Sequence, residues 1–138
     1  MEPELDRFLD AQRSVYDHVL DELRQGRKRS HWMWFVFPQI AGLGSSEMSQ
    51  RYAISSLAEA RAYLAHPVLG ERLRECTRLV AATEGRTAEQ IFGEVDAMKL
   101  RSSMTLFHRA APDETVFGRV LARLFDGVAD EATDASLR

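Results

Sequence analysis

The sequence is poor in the features that usually announce a function. A single cysteine, Cys76, excludes an internal disulfide framework. The four histidines, His18, His31, His66 and His108, are scattered, with no i,i+4 pair and no cysteine cluster, so no metal site is predicted. A glycine-rich phosphate loop is missing: Gly42 and Gly44 supply G-x-G without a third glycine or a preceding strand. No apolar run approaches the ~20 residues that span a bilayer. The opening MEPELDRFLD is acidic and lacks a hydrophobic stretch, so it does not read as a signal peptide. A net charge of −3 with no basic tail predicts no nucleic-acid partner. The one basic run, RQGRKRS at Arg24 to Ser30, sits at a predicted helix end, where cations suit the helix dipole. These absences predict a cytoplasmic chain with no cofactor, no metal and no membrane partner, and they leave the oligomeric state open.

Lysine is nearly absent as well. Sixteen arginines stand against Lys28 and Lys99 alone, a bias that reads as coding composition and makes the two retained lysines worth following. What is present is ordinary for a globular chain: 138 residues, 45% hydrophobic and 28% charged, enough for one domain that needs no covalent staples.

Helical punctuation recurs along the chain. After Pro3, apolar residues from Leu5 to Leu23 return at intervals of three and four, predicting one helix that ends at Gly26, a natural C′ residue. Ser56 with Glu59 and Thr87 with Gln90 read as capping boxes. His66-Pro67 breaks the helix that the first box opens, because a residue before proline is pushed out of the α region. Leu69, Leu73, Cys76, Leu79 and Val80 then share a helix face, so Cys76 reads as a small core hydrophobe and not as a nucleophile. No period-2 run is long enough for a strand. The predicted fold is all-α: a compact multihelical single domain over 1–127 of about six to seven helices, with a central helix around Val95–Ala110. Residues 128–138 are predicted to be a polar, frayed tail.

Two segments carry candidate chemistry. The central helix, VDAMKLRSSMTLFHRA, places Val95, Met98 and Leu106 on one side and Leu100, Met104 and Phe107 on the other, so both sides are expected to be covered. Between them Lys99, Ser102 and Ser103 share one patch, while Arg101, Thr105 and His108 form a separate polar strip. Three readings stay open for the patch: Lys99 and Arg101 pair with Asp96 and Glu94 or snorkel outward, they form an anion or phosphate site, or Lys99 serves as base to a nucleophilic Ser102 or Ser103.

The second segment is SHWMWFVFPQ, Ser30 to Gln39, which holds both tryptophans. Its density of apolar groups suits a core, with Ser30 as the cap if the segment is helical. Trp32, Trp34 and Tyr52 are also candidate walls for a planar ligand, with Gln39 beside them and Arg51, Lys99 and Arg101 as anion contacts. His31 is the proton-transfer candidate. The same residues suit a protein-binding hot spot or a plain core.

Four stretches, HWMWFVFPQIAGLGSSEMSQRYAI, EARAYLAHPVLGERL, KLRSSMTLFHRAA and FDGVADEAT, together resemble the bacterial domain of unknown function 1810 family. The likeness covers nearly the whole chain, in order. It implies a small all-helical protein and the family-like polar set His31, Trp32, Trp34, Gln39, Arg51, Tyr52, His66, Lys99, Arg101, Ser102 and Ser103. A calpastatin label carried by some relatives implies a disordered inhibitor, which an aromatic-rich chain contradicts. One departure is Asp134, where a hydrophobic residue is expected to continue the tail, and this predicts poor seating of that segment and a weak role for Asp130. Function is therefore expected to be the binding, and possible turnover, of a small anionic or nucleotide-like ligand in an aromatic and basic pocket. The alternative is a non-catalytic interaction module or homodimer surface.

Overall fold

The computed structural model describes residues 5–138, so Pro3 lies outside the described residues. Six helices of eight residues or more build the body: α1 (Asp6–Arg13), α2 (Tyr16–Arg24), α5 (Leu57–Ala65), α6 (Leu69–Ala82), α8 (Glu94–Ala110) and α9 (Thr115–Phe125). Four short helices join them: α3 (Met33–Val36), α4 (Glu47–Arg51), α7 (Ala88–Phe92) and α10 (Glu131–Ser136). No strand forms among the described residues, and the fold is all-α. The single extended pairing is a parallel bridge between Ile40 and Ile54.

Local signals account for most of the boundaries. α2 ends in a Schellman arrangement: Gly26 takes φ +70°, its N–H donates to the Leu23 carbonyl, and the Arg27 N–H donates to that of Glu22. Ser56 Oγ accepts from the Glu59 N–H to open α5, and the Glu59 carboxylate accepts in return from the Ser55 N–H. Thr87 and Gln90 make the complete reciprocal box at α7. α5 stops before His66, whose Nδ1 accepts from the N–H groups of Val68 and Leu69 and so caps the next helix.

The first apolar stripe is not one helix. The chain bends at Ser14–Val15, where Val15 leaves the α region. The bend lets α1 pack on α3 while α2 packs on α6. Gln12, buried just before it, donates to the Phe35 carbonyl at 2.7 Å and is the anchor for that turn.

α8 is central, packed against α5, α7, α9 and α10. Leu100, Met104, Leu106 and Phe107 are fully buried, but Val95 and Met98 are not: 66% and 72% exposed, they face a cleft instead of another helix. Residues 128–138 are a docked element and not a frayed tail. The Arg101 guanidinium donates to the carbonyls of Val128 and Ala129, and Thr105 Oγ1 accepts from the Asp130 N–H. Asp130 caps α10 through Oδ2, which accepts from the N–H and hydroxyl of the buried Thr133. Asp134 forks onto Arg109 at 2.8 and 3.0 Å, so the residue that breaks the apolar pattern is an ion-pair anchor.

Candidate functional site

The aromatic segment is organised by a residue far from it in character, the buried Glu22 of α2. Its Oε1 accepts from the N–H groups of Arg29 and Ser30 at 2.8 and 3.0 Å and from Trp32 Nε1 at 2.9 Å. Its Oε2 accepts from Ser30 Oγ at 2.5 Å, so Ser30 serves this carboxylate and does not cap α3. Burial by itself raises the carboxyl pKa, but the donors from Ser30, Arg29 and Trp32 outweigh it and hold the group near 2. Trp32, with its N–H satisfied here, is completely buried against Phe37 and Phe92.

Next to this lies a shared carboxylate. Asp96, in the first turn of α8, receives Lys28 Nζ at 2.8 Å on Oδ2 and Lys99 Nζ at 3.8 Å on Oδ1. Lys28 Nζ also stands 5.0 Å from the Trp32 ring centre, and Lys99 Nζ 5.1 Å from that of Trp34. The only two lysines thus lie over the only two tryptophans, with one aspartate between them. Two ammonium groups against one carboxylate leave a net positive charge. Because Lys28 holds the short contact and is the more deeply buried of the two, the surplus resides on Lys99.

Lys99 opens into a cleft of about 280 Å³ between α8, the 39–49 segment and the start of α10. Lys99, Gln39, Ser49, Ser102 and Asp130 supply its polar groups; Leu43, Val95, Met98 and Ala132 supply an apolar side. The 39–49 segment is held at its base by two backbone bonds, Ala41 N–H to the Ile54 carbonyl and Ile54 N–H to that of Gln39, both 2.8 Å. Gly44 is needed at the rim, because a Cβ there would stand 2.6 Å from Ser49 Oγ. Ser46 caps α4 and fixes Ser49 through a 2.9 Å hydroxyl contact.

Of the residues singled out from the sequence, Gln39, Lys99 and Ser102 meet in the cleft, and Trp34 lies against Lys99. The rest do not join them. Trp32 and Tyr52 are core, Tyr52 between Phe8 and Phe35, so neither is a wall for a stacked ligand. Ser103 is fully buried, with its Oγ unbonded among the described residues. Arg101 spends its guanidinium on the 128–129 carbonyls. His31 and Arg51 are exposed and are not among the residues lining the cleft. Ser102 Oγ donates to the Met98 carbonyl at 3.2 Å and is bonded to no base. Sequence reading gave Asp130 a weak role and missed Glu22 and the Lys28–Asp96 contact; the pairing of rare lysines with rare tryptophans was the available signal for the last. Cys76 is buried as expected, and that burial pushes its thiol up to about 12.

The model of the DUF1810 family, described as a protein of unknown function, matches residues 2–137. Among solved structures, the chain is similar to the crystal structure of the conserved hypothetical protein Rv1873 from Mycobacterium tuberculosis. The two are 56% identical with a TM-score of 0.96, over 97% of this chain and 96% of that one. A comparison with curated proteins finds no match.

Proposed function

We propose that this chain, which belongs to the DUF1810 family, is a binding protein for a small amphiphilic anion seated in the cleft over Lys99. The observation that carries the reading is the surplus charge of the Lys28–Asp96–Lys99 group: a half-buried ammonium, held over Trp34, whose ion-pair partner Asp96 is engaged more closely by another lysine, while Asp130, also lining the cleft, has one oxygen taken up by Thr133. An ammonium so placed gains from an incoming carboxylate or phosphate, and the exposed Val95 and Met98 gain from an apolar group beside it. Size narrows the class. At about 30 Å³ per water, 280 Å³ holds roughly ten non-hydrogen atoms. A nucleotide is too large to be seated wholly within it, so a short-chain organic acid or a small organic phosphate fits better. Turnover has less support than binding, since Ser102 lacks a base and His31 lies elsewhere.

A thermal-shift screen with small carboxylates and organic phosphates tests this, run on the wild type, Lys99→Ala and Lys99→Arg. Ligand at a hundred times its dissociation constant stabilises by about 2.7 kcal/mol, roughly 10 °C in a chain this size. The expected result is a hit that Lys99→Ala abolishes. Anions that stabilise Lys99→Ala as well as the wild type sink the proposal.

The same exposed pair, Val95 and Met98, favours a second reading, a docking surface for a partner or a second copy. An anion screen without a hit, combined with a concentration-dependent sedimentation profile that Met98→Glu abolishes, would favour it instead.

A further inference from the structure

A second groove opens between the C-terminal end of α2 and the 83–87 segment that leads into α7. Two hollows of about 380 and 450 Å³ adjoin there and share Arg86. The first has an apolar floor of Leu23, Leu79 and Ala82 with Arg24 at its side; the second is flanked by Arg27 and Arg86. All three arginines are exposed, and none of their guanidiniums has an ion-pair or hydrogen-bond partner among the described residues. Arg74, Arg109 and Arg101 are engaged, by Glu114, Asp134 and two carbonyls, whereas Arg29, Arg51, Arg78 and Arg119 are as open as these three; what distinguishes Arg24, Arg27 and Arg86 is that they border one groove. In a chain with more acidic than basic residues, this groove stays positive even after Glu84 on its lip is counted.

The groove is also partly built. Arg86 lies across the backbone of Gly26, where a Cβ would stand 3.4 Å from Arg86 Cδ and from Thr83 Cγ2. Gly26 itself is fixed by the Schellman bonds of α2. The stem of Arg86 therefore passes close to that turn. The helix end contributes at most about half a negative charge, less than the arginines supply, and the carbonyls of Asp21, Glu22 and Leu23 are already bonded.

We propose that this groove is an anion site for a ligand with two or more linked phosphoryl groups. Arg27 and Arg86 each fork onto phosphoryl oxygens, a geometry that guanidinium matches and ammonium does not. The apolar floor beside Arg24 receives an organic remainder when there is one. The site is separate from the cleft over Lys99 and stands without it.

Calorimetric titration of the intact protein at low salt tests it with inorganic phosphate, pyrophosphate and a nucleoside diphosphate. Pyrophosphate is expected to bind at least about tenfold more tightly than phosphate, and Arg27→Ala and Arg86→Ala each to weaken it by about tenfold or more. Arg86→Lys is expected to lose nearly as much, and the losses in the arginine variants are expected to persist in a Lys99→Ala background. A nucleoside diphosphate that binds more tightly than pyrophosphate assigns the floor to an organic group; equal binding assigns an inorganic polyphosphate. The substituted arginines are exposed, and unchanged melting temperatures verify that the variants fold. Pyrophosphate no tighter than phosphate overturns the proposal. So does full affinity in Arg86→Lys, which would reduce the groove to diffuse counter-ion accumulation, or a loss in Lys99→Ala that the arginine variants do not share.

Discussion

Replacing Glu22 with glutamine isolates what one buried carboxylate contributes. The side chain keeps its shape but loses its charge, and an amide NH2 must now face some of the donors from Arg29, Ser30 and Trp32. The folded-state carboxyl is held near 2 against an ordinary 4.5. The ionised group therefore stabilises the fold fully above about pH 4.5, and this stabilisation is lost as pH falls towards 2. The difference corresponds to about 3 kcal/mol at neutral pH. Linkage predicts that close to half of it is gone by pH 3.5. Urea unfolding of both proteins at pH 7, 5 and 3.5 is the assay, since the difference between them cancels every other titrating group. Glu22→Gln is expected to cost about 3 kcal/mol at pH 7 and about half that at pH 3.5, with an unchanged slope in denaturant. A penalty that is the same at both ends would refute the reasoning, because the donors would then be serving shape and not charge.

Gly44→Ala is expected to cost about 1–3 kcal/mol by urea unfolding, since its Cβ collides with Ser49, and Ser49→Gly in the same chain should restore most of it. Asp134→Ala should cost only about 0.5–1 kcal/mol, because its partner Arg109 is 40% exposed; hydrogen exchange should nonetheless show α10 opening while α8 stays protected. The Cys76 thiol, buried and raised to about 12, should react with Ellman's reagent at pH 8 only as fast as the protein unfolds; rapid reaction of the native protein would contradict its place in the core.

Signals confined to one turn of chain were legible in advance. Gly26 closes α2, Thr87 with Gln90 opens α7, and His66-Pro67 ends α5, because each depends on bonds among neighbours three or four residues apart. The bend at Ser14–Val15 was not legible, since it answers to Gln12 reaching Phe35 and to two helices seeking different partners. Nor was the docking of α10: Asp134 looks misplaced in a helical pattern until Arg109, 25 residues away, is known to be opposite it. The same distinction governs the cleft. Spacing put Lys99 beside Ser102, but which of the lysine's neighbours would absorb its charge depended on Lys28 arriving from another element. Trp32 and Trp34 look equivalent in sequence; Glu22 marks the buried one, and Lys99 lies over the other.

The two backbone bonds that tie Ile54 to Gln39 and Ala41 have a consequence for how this molecule can change over evolutionary time. They close the intervening segment at its root, so its length and composition can vary while the helices below it keep their register. Loop-closure entropy rises only with the logarithm of length, about 0.6 kcal/mol per doubling. The exposed part of that segment can thus change in length without rebuilding the helices that carry Lys99 beneath it.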